Sequence, residues 1–241
     1  MNKKNKYIFG VIILSTIIFI FVMFTSTSKN NDYLIAGIDE IKNNVNNPVL
    51  DSDLINKVRE EYGNDDIEGI LEIENTGYIV PVVQGEDNAY YLNYDPYKNK
   101  NGMGSIYLDY RVDINNSPKL LIYGHNSSNI DMPFKILENF YDKNYYEGHK
   151  YINLTTTEGK RRYEIFSVYV ETSDFTYMNI NFDSKDDYYN HLKKLKSKSM
   201  YDTGVDVEEN DQILILQTCS EHSKYKNYDK KYLLVILRRV Y

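Results

Sequence analysis

Asp211-Gln212-Ile213-Leu214-Ile215-Leu216-Gln217-Thr218-Cys219, near the C-terminus, is the stretch on which the fold turns. A short apolar run with two β-branched residues, bounded by polar ones, predicts a buried strand over Gln212–Leu216 rather than a helix. At its end stands Cys219, the only cysteine in the sequence. A strand end is a rigid place from which a side chain can be aimed into a cleft. The bland alternative is a small buried hydrophobe, the common fate of a free cysteine.

Working outward, similar short β-type runs recur at Ile70–Ile73, Tyr78–Val83, Ala89–Leu92, Ser105–Leu108, Lys119–Tyr123, Tyr151–Thr155, Tyr163–Val170 and Tyr232–Leu237. Turn-formers separate them, as at Asn75-Thr76-Gly77 and Asn99 to Gly104. Many short strands predict a barrel or sandwich rather than alternating βαβ units. The 25 tyrosines and absent tryptophan suit half-buried strands. Two helices interrupt, a short one at Met132–Tyr141 and a stronger one at Ser184–Ser199. In the second, Ser184 and Asp187 form a capping-box-like start, and Tyr188, Leu192 and Leu195 share a face. Its lysines 193, 194, 196 and 198 read as a solvated face.

The N-terminal end has a different texture. Tyr7–Thr25 is uncharged, apolar and long enough to span a bilayer, and Lys3, Lys4 and Lys6 precede it. This predicts a cell-membrane protein with a single pass and a cytoplasmic N-terminus. A cleavable signal peptide is the alternative, although no A-x-A-like site follows. The expected organisation is a tail at 1–6, an anchor at 7–25, a linker with helices at 26–66 and an extracytoplasmic β domain at 67–241. Pro48 divides the linker, and Leu54, Ile55 and Val58 give its second helix an apolar stripe. An exported lone thiol has no disulfide partner in its own chain, which marks Cys219 as a reactive candidate.

Composition excludes some classes. With 26% charged and 42% hydrophobic residues the 241-residue chain is not disordered throughout. A net charge of −7 and the lack of a Lys/Arg block argue against nucleic-acid binding. No metal-ligand spacing stands out among His, Asp and Glu, and neither a metal nor a cofactor is expected.

A thiol nucleophile needs a partner that favours the thiolate, most often histidine. His191 lies inside the amphipathic helix and reads as structural or solvated. His149 precedes a strand, and His222 lies in a polar loop three residues past Cys219. His125 differs, because it follows the apolar run Lys119–Tyr123 and so also ends a strand. Gly124 before it leaves room for close approach.

These residues carry a family resemblance. Tyr123-Gly124-His125-Asn126 and Leu216-Gln217-Thr218-Cys219, with the N-terminal apolar run, resemble the sortases, cysteine transpeptidases of Gram-positive bacteria. Pro81-Val82-Val83-Gln84-Gly85, Tyr90-Tyr91-Leu92-Asn93, Gly104 to Arg111 and the long helix before Asp211 are similar to class B members. The likeness runs from Ile67 to the C-terminus. Two positions depart from it. Ile215 stands where class B commonly has threonine. The arginine that opens the strand after the cysteine is missing from Asp229-Lys230-Lys231-Tyr232. Lys231 is the best positional match and Lys230 the next. Arg238 and Arg239 lie roughly 23–27 Å further along an extended strand.

The resemblance implies a closed, mixed β-barrel of eight strands with N-terminal helices and one long inserted helix. It implies that Cys219 attacks the threonine carbonyl of a C-terminal sorting signal, with His125 as acid and base and Lys231 stabilising the oxyanion. The implied partners are sorting-signal peptides, of an Asn-Pro-x-Thr-x type, and an amine of a peptidoglycan precursor or crossbridge. Two other readings use the same residues: an exported cysteine peptidase that releases the acyl group to water, and a non-catalytic peptide-binding module with a degenerate site.

Overall fold

A computed structural model of the protein describes residues 51–240. The apolar runs become strands β1 (Ile67–Ile73), β2 (Tyr78–Val83), β3 (Tyr107–Leu108), β4 (Lys119–Tyr123), β5 (Tyr151–Thr156), β6 (Gly159–Glu171), β7 (Ile213–Cys219) and β8 (Tyr232–Val240). They close into one barrel in the order β1-β2-β3-β4-β7-β8-β6-β5. Two seams are parallel, β2 with β3 and β4 with β7, so the barrel is mixed. A parallel pair needs a long crossover, and the chain between β4 and β7 supplies it with β5, β6 and most of the helices.

Every residue of β4 is buried, as are Ile213 to Leu216 of β7. Inward side chains fill the barrel, and the crossover covers the outer face, which explains why both strands read as continuous apolar runs rather than alternating ones. Helix α1 (Asp51–Tyr62) buries Ile55 and Val58 completely and packs on β1 and β5. Helix α2 (Lys143–Gly148) is short. Helix α3 (Lys185–Ser197) starts at Ser184, whose hydroxyl accepts from the Asp187 N–H at 3.0 Å, and buries Tyr188, His191, Leu192 and Leu195.

Two predicted elements differ. Ala89–Leu92 is not a strand; Tyr90–Leu92 forms a 3-10 turn. The Asp87 carboxylate accepts from the N–H groups of Ala89 and Tyr90, both at 2.8 Å, and this local turn replaces a ladder. The Met132–Tyr141 helix begins later, as a 3-10 helix at Lys135–Tyr141 that leads into α2.

The expected single-pass membrane localisation is corrected. Among the described residues no helix is long and apolar enough to cross a membrane. The longest α-helix there, α3, has 13 residues and a row of lysines. It extends about 20 Å, against roughly 30 Å of hydrocarbon core. The apolar run 7–25 and the first helical piece of the linker lie outside the described residues.

Candidate active site

The parallel pairing of β4 with β7 sets Tyr123 opposite Gln217. Three hydrogen bonds carry the alignment past the end of β4. The Gly124 N–H donates to Gln217 O (3.2 Å), the Thr218 hydroxyl to Gly124 O (2.8 Å), and the Asn126 side-chain amide to Cys219 O (2.9 Å). Continued by two residues, the register brings His125 opposite Cys219. Neighbouring strands lie about 4.8 Å apart, so the backbones of His125 and Cys219 stand at adjoining strand ends. Only glycine fits at position 124, since a Cβ there would lie 2.4 Å from Ile106 and 2.7 Å from Phe134.

His125 is half-buried. Its Nε2 lies 2.9 Å from Leu92 O, and its own carbonyl accepts from the Phe134 N–H. A carbonyl oxygen only accepts, so Nε2 carries the proton and Nδ1 is the basic nitrogen. The 3-10 turn at Tyr90–Leu92 thus sets the tautomer.

Cys219 is exposed at the last residue of β7. Its inner side rests against a tyrosine layer, with the phenols of Tyr107 and Tyr177 within electrostatic reach. Burial on that side, with the Glu221 carboxylate, pushes the thiol above its ordinary value, while Lys231 pulls it down. Lys231 owes its position to β8, which pairs Tyr232 with Cys219, and the Ser220 N–H donates to Lys231 O at 2.9 Å. The Glu221 N–H is taken by Glu138 at 2.8 Å. The two backbone donors after the thiol are both occupied, and Lys231 is the cation whose charge acts on the thiol.

The other sequence-selected residues have other partners. Lys230 is exposed, its ammonium 5.6 Å from the Phe175 ring centre. Arg238 pairs with Ile213 and reaches Glu164, at the opposite end of the barrel, and Arg239 donates to Gln212 O. His149 stacks on Tyr145 at 4.0 Å, and His222 packs against Tyr141 while accepting from the Lys224 N–H. His191 is buried against Lys119.

Sequence reasoning did not single out the side chains beneath the thiol. Tyr123 donates to the buried Asp109 carboxylate at 2.7 Å, which Arg111 grips through two nitrogens at 2.8 and 2.7 Å. Tyr177 donates to Gln217 at 2.7 Å. Tyr123 and Gln217 each stand two residues before His125 and Cys219. Strand alternation alone puts all four on one face, and that signal was available from the sequence.

A thiol and an imidazole at adjoining strand ends of a closed barrel, with a cation acting on the thiol, are what a cysteine acyl transferase needs. The comparisons with known proteins agree. The sortase domain family matches residues 71–237. Sortase B of Staphylococcus aureus is 32% identical over 173 residues, 71% of this chain and 70% of that one. Sortase B of Listeria monocytogenes is 34% identical over 168 residues, 68% and 66% of the two chains. A solved Staphylococcus aureus sortase B–substrate complex superposes with a TM-score of 0.78 at 27% identity, covering 90% of this chain and 97% of that one. The chain belongs to the sortase family and is a sortase-type cysteine transpeptidase with class B enzymes as relatives.

Proposed function

We propose that the barrel from residue 67 onward is the catalytic unit and that Cys219, His125 and Lys231 are its reacting groups. The Cys219 thiol gives its proton to Nδ1 of His125, and the resulting thiolate adds to the carbonyl carbon of a threonine in a C-terminal sorting signal. His125 protonates the leaving amine, and an acyl-thioester remains on Cys219. An amine of a peptidoglycan precursor or crossbridge, or of another surface protein, then attacks that thioester. His125 takes its proton and the thiolate departs. Lys231 donates to the oxyanion in both steps.

The observation that carries this reading is the continued β4–β7 register, with Gly124 and Asn126, on either side of His125, bonded to Gln217 and Cys219. The substrate complex of the Staphylococcus aureus relative supports a sorting-type peptide as the donor class.

The test is mass spectrometry of the purified protein after incubation with Asn-Pro-x-Thr-x peptides, with and without an amine acceptor. An acyl adduct on Cys219, lost in Cys219→Ala and converted to amide product by the amine, is the expected result. Transfer retained by Cys219→Ala would refute the assignment, and release of acid alone in the presence of amine would make the protein a peptidase.

A further inference from the structure

The 3-10 helix Lys135–Tyr141 touches the chain on both sides of the site. Such a helix repeats every three residues, so side chains at i and i+3 stand one above the other. Phe134, Leu137 and Phe140 form one row, and all three are fully buried. Glu138 and Tyr141 belong to the next row, one step round the helix, and both are half-buried.

The first row fixes the helix. At its start the Phe134 N–H donates to His125 O at 3.0 Å, and near its end Phe140 O accepts from the Tyr201 hydroxyl at 2.9 Å. The second row reaches the two residues that follow the thiol. Glu138 accepts from the Glu221 N–H at 2.8 Å, and the Tyr141 and Ser220 hydroxyls lie 2.6 Å apart. Ser220 is fully buried, and the Tyr141 ring packs against His222 with centres 4.7 Å apart. One element thus holds the backbone of His125 and the turn after Cys219.

That turn is exposed at His222, Ser223 and Lys224. Its own bonds are local, with the N–H groups of Lys224 and Tyr225 both donating to His222. They set the shape of the turn but not its placement on the barrel. Placement comes from the bond of the Ser220 N–H to Lys231 O and from Glu138 and Tyr141. The groups around the thiol come from several elements: Tyr107 from β3, Tyr177 from the turn before α3, Lys231 from the start of β8 and Glu221 from this turn. His125 stands at the adjoining strand end. Of these, Glu221 is the one whose backbone Glu138 holds.

We propose that Glu138 is a positioning residue for the transfer reaction, a role that rests on the transpeptidase reading above. By holding the Glu221 N–H it keeps the Glu221 carboxylate within reach of the thiol, where it offsets the charge of Lys231. The balance of these two opposite charges sets how readily the thiol gives its proton to His125. Without the bond from Glu138 the Glu221 side chain turns into water, which screens its charge.

The experiment follows the pH profile of Cys219 alkylation by iodoacetamide in the purified protein. Glu138→Ala removes the acceptor and should move the profile toward acid by as much as Glu221→Gln does. Glu138→Gln keeps an oxygen that accepts the same N–H, so it should retain the wild-type profile. In a Glu221→Gln background, Glu138→Ala should add no further shift. Tyr141→Phe breaks the second bond to the turn and should move the profile the same way. It decides the matter if Glu138→Ala does not melt cooperatively. An unmoved profile in the folded variant, a Glu138→Gln shift as large as that of Glu138→Ala, or a further shift in the double variant overturns the proposal. Iodoacetamide needs no sorting peptide, so a wild type that alkylates but forms no acyl adduct refutes the transpeptidase reading instead.

Discussion

Strand β4 bears lysine–histidine chemistry at both ends, and the two ends have opposite fates. At its first residue Lys119 is 1% exposed. Its ammonium nitrogen donates to Asn179 O at 2.7 Å and lies 2.8 Å from Nε2 of His191, with the Phe182 ring 5.6 Å away. Burial, then the charge of Arg111, pushes Lys119 down to about 7. Burial and Lys119 push His191 down to about 3. Six residues on, the same face of the strand presents His125 beside an exposed thiol, with the half-buried Lys231 across the sheet. The same residue types become a sealed strut at one end and the proposed reaction centre at the other. Solvent access and unused donors make the difference, since a site must keep a place for the substrate.

The largest effect separates the two histidines. His125→Ala should lower turnover about 10²–10⁴-fold, the usual loss on removing a general acid–base. His191→Ala should instead strip Lys119 of one of its two polar partners, costing about 1–3 kcal/mol of stability while the folded enzyme keeps its turnover. Steady-state rates paired with urea midpoints distinguish them. Comparable rate losses in both variants would erase the contrast.

The two lysines come next. Lys231→Ala should slow turnover about 10²–10³-fold, as expected for a lost oxyanion donor. Lys231→Arg should retain or raise activity, since a guanidinium offers two parallel donors. Lys230→Ala, whose ammonium sits over Phe175, should change little. A crippled Lys230→Ala beside a healthy Lys231→Ala would exchange their roles.

Lys119 should show itself in stability rather than rate. Its folded value is about 7, against 10.5 for an ordinary solvated lysine, the value it takes in the unfolded chain. Between these values the unfolded chain holds a proton that the folded chain lacks, so stability rises with pH through this window and levels off below it. The gain from pH 7 to 9 should be about 2 kcal/mol and should vanish in Lys119→Met. Parallel unfolding curves for both proteins at the two pH values would contradict this.

The smallest effect sharpens the active end. Glu221 helps raise the Cys219 thiol and Lys231 lowers it. The pH profile of Cys219 alkylation by iodoacetamide should move toward acid in Glu221→Gln and toward alkali in Lys231→Ala. Shifts in the same direction would mean that one of these charges does not act on the thiol.

Much of this was legible in the residues alone. The apolar run after Asp211 and the one from Lys119 to Tyr123 specify buried strands because no other short element hides four or five consecutive hydrophobes, and Gly124 before His125 announced a tight passage. Ser184 and Asp187 marked the start of α3 through local capping chemistry. What reads from sequence is local, set by periodicity, caps and the side chains of a few neighbours. The 3-10 turn at Tyr90–Leu92 was missed because Asp87 competes with the ladder. The tertiary structure alone decided that β4 and β7 lie side by side, since a parallel pair joined through a crossover of nearly ninety residues leaves no mark in either strand. It also decided that Lys231 stands beside Cys219 while Arg238 lies at the far end of the barrel, because register belongs to the pair of strands and not to either one.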